Sequence, residues 1–286
     1  MLESSGLIMK YALIDIGGGM RDAFGTGVLD YLLDQNIEID TLIGVSAGTS
    51  NLANYISRQK GRVLRFYTEY SQRKEYMGLR EFILHGSYLN MEYIYEELSF
   101  PGKEDPFDID AYTKAEKDFT IVATDARTGE AVYFPKSSVK PFYMKTIEAS
   151  GTIPLLCRPT FVNGIPYFDG GISEPIPWRK AIEKGCEKLI VIITKRKDDF
   201  RSPDKDKLAV KLLSKRYPQL SKVLSKRAET YNRELEEILQ MEREGTALII
   251  APDDTCGVTT TKHNEDDIRR LYRKGYEAAS EIKVFL

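Results

Sequence analysis

Histidine is almost missing from this sequence, with two residues in 286, and cysteine is scarce, with three. Any serine chemistry assisted by imidazole would have to use His85 or His263. Cys157, Cys186 and Cys256 form no C-x-x-C pair and cannot all pair internally, so reduced intracellular thiols are expected rather than a disulfide scaffold. No stretch approaches the ~20 apolar residues needed to span a bilayer. Met1 to Met9 contain Glu3 and two serines but neither a basic n-region nor a long apolar core. They read as a short leader, with Met9 an alternative start, and not as a secretory signal. An excess of one charge is also lacking: 41 basic residues face 43 acidic ones, which gives nucleic acid no electrostatic footprint. A soluble, cytoplasmic globular protein is expected.

What the sequence does have is glycine in telling places. Gly44-Val45-Ser46-Ala47-Gly48 follows the apolar stretch Ile39–Ile43 and precedes a helical pattern starting near Thr49. Strand, sharp turn with a serine, then helix is the layout of a nucleophile elbow, G-x-S-x-G. A serine at the tip of such a turn crowds the positions two residues away on either side, and Gly44 and Gly48 have no Cβ to clash there. The helix N-terminus behind Ser46 offers unpaired N–H groups where negative charge would develop. Taken alone, the pattern is short enough to be a plain glycine-rich turn.

A second glycine turn lies upstream. Tyr11–Ile16 reads as a buried strand, then comes Gly17-Gly18-Gly19-Met20-Arg21, then a helix with Phe24, Val28, Tyr31 and Leu32 on one face. Parallel strands joined by a right-handed crossover bring both turns to the same sheet edge, where ligands of open α/β sheets gather. A dinucleotide fingerprint fits poorly, because its third glycine falls on Asp22. An oxyanion-binding loop fits better beside a candidate nucleophile, since glycines let successive N–H groups face one cavity. Arg21 would orient the loop, attract a phosphate or form a surface ion pair.

Further along, Arg62 to Leu98 is largely helical in pattern and rich in aromatics, suited to core packing or to lining an acyl pocket. Phe119–Asp125 and Glu130–Phe134 flank Arg127-Thr128-Gly129 as a hairpin. A short helix is expected from Phe142 to Ala149. Gly164–Phe168 then ends in Asp169-Gly170-Gly171, either an ordinary Asp-Gly turn or a carboxylate left at an open, closely approachable position. Lys188–Thr194 and Thr246–Ile250 read as buried strands. Between them, Lys195 to Arg227 holds 12 basic and 4 acidic residues interleaved with Leu208, Leu212 and Leu213. That stretch is either a solvated helical insertion or a lip docking on an anionic membrane surface. A helix with Leu220, Val223, Leu224, Tyr231, Leu235, Ile238 and Leu239 on one stripe follows, and Asn264 is a good N-cap for the last helix.

Together, Gly17-Gly18-Gly19-Met20-Arg21, Gly44-Val45-Ser46-Ala47-Gly48, Ala149-Ser150-Gly151-Thr152-Ile153-Pro154 and Asp169-Gly170-Gly171 resemble the patatin-like phospholipase family, over roughly residues 10 to 195. The chain departs from that family's pattern at Ile16, usually acidic, and at Asp22, usually glycine. The resemblance implies a three-layer α/β sandwich with a central, largely parallel sheet, here one domain over 1–286 with a helical insertion near 200–244 and a final strand and helix over 246–286. It implies lipid acyl hydrolysis by a Ser–Asp dyad, with Ser46 the nucleophile, Asp169 its base, and Gly17, Gly18, Gly19 and Arg21 forming the oxyanion hole. A lipid ester is then the expected substrate; no cofactor, metal or nucleic acid is called for, and peripheral membrane association is compatible. An acyltransferase with the same dyad and a non-catalytic lipid-binding protein are the alternatives. A Ser46–Asp169–His263 triad has the chain order of α/β-hydrolases, but His263 stands in a loop just ahead of Asn264 and only one strand is read before the elbow. In the dyad, burial would have to raise the aspartate's pKa, because an exposed carboxylate is a poor base at neutral pH.

Overall fold

The computed structural model describes residues 9–286, so the expected leader, Met9 apart, lies outside the described residues. In chain order, β1 (Tyr11–Asp15) leads to α1 (Ala23–Asp34), β2 (Thr41–Val45) and α2 (Ala47–Ile56). Three short helices follow: α3 (Arg62–Thr68), α4 (Leu79–His85) and α5 (Ile109–Lys114). Next come β3 (Asp118–Asp125), β4 (Ala131–Pro135), α6 (Lys145–Ser150), β5 (Thr160–Val162) and β6 (Ile165–Asp169). The chain continues through α7 (Trp178–Glu183), β7 (Lys188–Ile192), α8 (Lys207–Leu213), α9 (Pro218–Arg243), β8 (Ala247–Ile250) and α10 (Glu265–Ala278).

The strands form one sheet in the order β5-β6-β3-β2-β1-β7-β8, with β4 also on β3. The run β3-β2-β1-β7-β8 is parallel, and β4, β5 and β6 are antiparallel. Alternation along these strands divides the core in two, as a period of two requires. Leu13, Leu42, Ile121 and Ile190 pack with Phe24, Val28, Leu52, Ile268 and Leu271 of α1, α2 and α10. Ala12, Ile14, Ile43 and Val191 face the other way, onto Ala181 of α7 and Leu235 and Ile238 of α9. The result is the expected three-layer α/β architecture, and the expected helical insertion is α8 and α9, with α9 serving as cover for one face of the sheet.

Strand β3 determines where the site lies. β4 occupies one of its edges from Thr120 to Thr124. On the other edge β2 runs parallel as far as Val45 opposite Val122, and β6 runs antiparallel with Asp169 opposite Ala123. Two strands therefore meet head to head on adjacent positions of β3, and both end there. Whatever follows Val45 is placed against Asp169.

One sequence expectation changes and another is refined. The helix expected from Phe142 begins only at Lys145, because Phe142 takes a φ of 57° and Lys140 and Tyr143 bridge backbone to backbone. Arg62–Leu98 is helical over most of its length, as expected, but in separate short pieces. These are α3, α4 and a π-helical turn at Tyr93–Glu97, and aromatics from them and from the connecting turns, among them Phe66, Tyr67, Tyr76 and Tyr95, line one cavity.

The last helix starts as expected: the Asn264 side chain accepts from the Asp267 N–H at 2.9 Å, and Glu265, Asp266 and Asp267 fill the first turn. It packs against α1 at backbone contact. A Cβ on Gly275 would stand 2.0 Å from the Phe24 carbonyl oxygen, and one on Gly27 2.0 Å from that of Tyr272. Alanine at 275 would gain about 1 kcal/mol of helix propensity, yet the backbones would have to part. Gly275→Ala is expected to destabilise the fold by about 1–3 kcal/mol, read as a lower urea midpoint. A stabilised variant would show that the two helices do not pack this closely.

Candidate functional site

Ser46 sits between β2 and α2 with φ 57° and ψ −133°, a region that a non-glycine residue rarely occupies. The surroundings hold it there. Its N–H donates to Ser150 Oγ at 3.0 Å; Ser150 Oγ also accepts from Thr49 Oγ1 at 2.8 Å and donates to the Val122 carbonyl at 2.6 Å. The elbow glycines are required sterically. A Cβ on Gly44 would lie 2.6 Å from Thr49 Cα, and one on Gly48 2.4 Å from the Asp15 carbonyl oxygen.

Asp169 closes β6 and is buried. Its backbone is fixed twice: its N–H donates to the Thr152 carbonyl at 2.8 Å, and its carbonyl accepts from Thr124 Oγ1 at 2.8 Å. Its Oδ1 accepts from the Gly171 N–H at 2.8 Å. Burial raises its pKa above the ordinary carboxylate range, opposed by the positive charge of Arg227, by the Ser46 hydroxyl, by the Gly171 N–H and by Arg201. Ser46 and Asp169 are thus immediate neighbours, although their side chains fall short of a fully formed hydrogen bond. Ligand-free sites commonly show such pairs long or poorly aligned.

The triple-glycine loop lies against the elbow. A Cβ on Gly17 would be 2.5 Å from the Val45 carbonyl oxygen and 2.9 Å from Ser46 Cβ. All three glycines take positive φ: 70°, 153° and 62°. The Gly17 N–H donates to Asp15 Oδ1 at 3.0 Å and its carbonyl accepts from Thr194 Oγ1 at 2.8 Å. Gly17 therefore contributes close approach, while the N–H groups of Gly18 and Gly19 have no acceptor outside their own turn among the described residues. Arg21 anchors the end of the loop through Nη1 to Thr260 Oγ1 at 3.2 Å, and its buried Nε has no partner among the described residues.

Beneath this loop lie two fully buried carboxyl groups that the sequence reading missed, Asp15 and Asp22. The space a Cβ of Gly25 would fill is 2.4 Å from Asp22 Oδ1 and 2.8 Å from Asp15 Oδ2. Asp15 also receives Asn51 Nδ2 at 3.4 Å, linking the glycine loop to α2. Burial raises the pKa of both groups, and the charge of Asp15 raises that of Asp22 further. Two carboxylates in one dry site cannot both ionise freely, so the pair retains a proton well above the ordinary carboxylate range.

Ser46, Ala47, Gly19 and Met20 line one cavity whose remaining wall is mainly apolar, including Phe66, Tyr67, Tyr76, Met91, Tyr95 and Ile147. Neither histidine joins Ser46 and Asp169. His263 Nε2 pairs with Ser71 Oγ at 2.9 Å, with its pKa lowered by burial, and His85 lies 3.6 Å from Glu81. The basic stretch divides. Arg201 and Arg227 turn inward towards Asp206 and the Asp169 turn, while Lys211, Lys215 and Arg216 remain exposed.

At the end of a largely parallel sheet the structure thus sets a strained serine, which opens onto a mainly apolar cavity, beside a buried aspartate. The model of the patatin-like phospholipase family matches residues 17–182, and the chain belongs to that family. Membership supports lipid hydrolase activity in general terms. A second model, described as a domain of unknown function (DUF6363), matches residues 217–283. The uncharacterized protein YjjU of Escherichia coli (strain K12) is 29% identical over 199 residues, 68% of this chain and 54% of that protein. The chain thus spans about half the length of that curated relative. The crystal structure of VipD from Legionella pneumophila aligns with a TM-score of 0.49 at 12% identity, over 96% of this chain and 66% of that one.

The buried pair Asp15 and Asp22 gives the fold a pH signature. Both have folded-state pKa values above their unfolded ones. Between the folded and unfolded values the folded state holds more protons than the unfolded state, so the pair's contribution to stability is fully present below the unfolded value of 3.8 and is lost as pH rises. Asp22→Asn, a neutral isostere, is expected to flatten this decline, its advantage over wild type growing from pH 5 to pH 8. Urea midpoints across that range test it, and a gap that stays constant would show that the pair is not protonated as described.

Proposed function

We propose that the protein is a serine lipid acyl hydrolase with Ser46 as nucleophile and Asp169 as general base. The observation that carries this reading is the head-to-head ending of β2 and β6 on one edge of β3, which sets an elbow serine against a buried carboxylate at an apolar cavity. Asp169 takes the Ser46 hydroxyl proton as Oγ attacks the ester carbonyl, and the N–H groups of Gly18 and Gly19 receive the oxyanion. The C–O bond to the alcohol breaks, and the alcohol leaves with the proton from Asp169. Water then attacks the acyl-Ser46 ester and gives a proton to Asp169; the acyl C–O bond to Ser46 Oγ breaks, Oγ takes that proton back, and the fatty acid is released. Burial of Asp169 supports this role, since the raised pKa makes it a more effective base.

Hydrolysis of a lipid-ester panel tests the proposal. Ser46→Ala and Asp169→Asn are each expected to lose about 10²-fold or more in kcat, and His263→Ala to stay near wild type. A Ser46→Ala variant as active as wild type would overturn the hydrolase reading, and loss confined to His263→Ala would overturn the dyad.

Among the described residues no helix is long and apolar enough to cross a membrane, and we infer peripheral association with an anionic membrane surface from the cytoplasmic side. Helix α8 supports it: Leu208 is 63% and Leu212 57% exposed, beside the exposed Lys211, Lys215 and Arg216. Each basic residue near such a surface contributes about 1 kcal/mol. Reversing Lys211 and Lys215 to Glu is expected to weaken binding to anionic vesicles by about tenfold or more, and wild-type binding to fall with salt. Binding indifferent to both would sink this surface.

A further inference from the structure

The loop and helix that follow β7 reach back to the candidate dyad. The start of α9 packs on the strand carrying Asp169: Leu220 and Leu224, with Tyr217 just before the helix, cluster with Phe168 and Ile172, and the Phe168 and Tyr217 rings stand edge to face at 5.8 Å. The next position on that helix face is Arg227. Its Nε donates to the Gly171 carbonyl at 2.6 Å, on the same residue whose N–H holds Asp169 Oδ1. Only 22% of its side chain is exposed, and its ion-pair partner is Asp206 at 3.8 Å, which Arg201 grips with Nη2 at 2.7 and 2.9 Å.

We infer that Arg227 is a positioning residue for Asp169, whose carboxyl group it keeps aimed at Ser46 by clamping the Gly170-Gly171 turn. The inference rests on the dyad reading and adds a function for the C-terminal region, which supplies the residue. The geometry explains why the clamp is indirect. A guanidinium bonded directly to Asp169 would occupy the carboxylate oxygens and depress the pKa of a group that must accept a proton. Instead Gly171 stands between them: a Cβ there would lie 3.1 Å from Asp169 Oδ1 and 3.3 Å from Arg227 Nη2. Arg227 thus acts on the carboxylate by charge at one remove and by fixing the peptide that donates to it. Asp206, already held by Arg201, neutralises Arg227 only in part.

The groups facing Asp169 are few. They are the Ser46 hydroxyl from the elbow, the Gly171 N–H from its own turn, Arg227 from α9 and Arg201 from the segment ahead of α8. The Cys157 thiol after α6 also feels its charge. Of these, Arg227 is the foremost charge opposing the effect of burial. Removing that charge moves the pKa of Asp169 up, so the base is ionised only at higher pH.

The test compares wild type with Arg227→Gln, which keeps an N–H donor without charge, and Arg227→Lys, which keeps the charge. Two readouts serve: kcat and KM against pH on a soluble short-chain ester, and titration of the Asp169 carboxyl carbon by NMR, which needs no turnover. For Arg227→Gln the acid limb of kcat and the NMR midpoint are expected to move together to higher pH by about one unit. That corresponds to about a tenfold loss of kcat below the limb, recovered as pH rises, with KM little changed; Arg227→Lys is expected to restore most of the shift. An Arg227→Gln variant with wild-type acid limb and midpoint would overturn the inference. So would a pH-independent loss shared equally by Arg227→Lys, which is the mark of packing alone. If wild type and Ser46→Ala prove equally inactive, the hydrolase reading fails, and the NMR midpoint still decides whether Arg227 controls Asp169.

Discussion

A single strand edge holds the site together. β3 offers β2 and β6 the same row of hydrogen-bonding groups, and because one is parallel and the other antiparallel, their C-terminal ends collide at Val122 and Ala123. A residue at such a junction has almost no space. This is why Gly170, whose added Cβ would lie 2.3 Å from the Val122 carbonyl oxygen, must follow Asp169, and why Gly44 and Gly48 must flank the turn at Ser46. The rare backbone conformation of Ser46 costs of order 1–3 kcal/mol. The Ser150 hydroxyl offsets part of it by meeting the Ser46 N–H, the Thr49 hydroxyl and the Val122 carbonyl at once. The strain is thus confined to the residue whose hydroxyl must stand out from the sheet.

Burial acts on two sets of carboxyl groups with different results. Asp169 is as deeply enclosed as Asp15 and Asp22, but it faces Arg227, Arg201 and a backbone N–H, all of which favour its charged form. Asp15 and Asp22 face each other. Arg21, the cation nearest to them in sequence, gives its Nη1 to Thr260 instead, and the pair relieves repulsion by keeping a proton. One environment favours a charged carboxylate beside a hydroxyl, as the proposed dyad requires. The other fixes the glycine loop to α2 through Gly17 and Asn51 without placing a full charge under the expected oxyanion.

Much of this was legible in the sequence where a local rule forces a residue type. The period-two strands, the hairpin at Arg127–Gly129, the Asn264 cap and the glycine turns all follow from backbone sterics or hydrogen bonding within a few residues. The chain's departures from the family pattern, Ile16 and Asp22, hinted at an altered loop, but only the structure shows Asp22 opposite Asp15. What was not legible depends on contacts far apart in sequence. Ser150 lay within a recognised block, yet its task is defined by Ser46, 104 residues away. The aromatics of Arg62–Leu98 carry helical spacing, but they converge on a cavity and the helix breaks around them. Arg227 sat in a basic stretch that reads as solvated. Its one local sign is its place on α9, a charged residue just before Ala228, which with Leu224 and Tyr231 lies on the covered side of the helix.

The same helix bears on how the C-terminal region relates to the rest. The patatin-like match stops at residue 182, before β7 begins, yet β7 pairs with β1 along its whole length and carries β8 beyond it. Without them β1 would present an unpaired edge, and without α9 the side chains of Ala12, Ile14, Ile43 and Val191 would lose the cover of Leu235 and Ile238. On the opposite face α10 meets α1 at glycine-to-backbone contact. Thr194 and Thr260, both outside the matched segment, hold the triple-glycine loop at Gly17 and Met20. Helix α9 has to lie across the sheet to bury its stripe, and once it does, its first turns necessarily pass the end of β6. A charge on that face then acts on Asp169 whether or not it touches it, so the helix that completes the core also sets the electrostatics of the site.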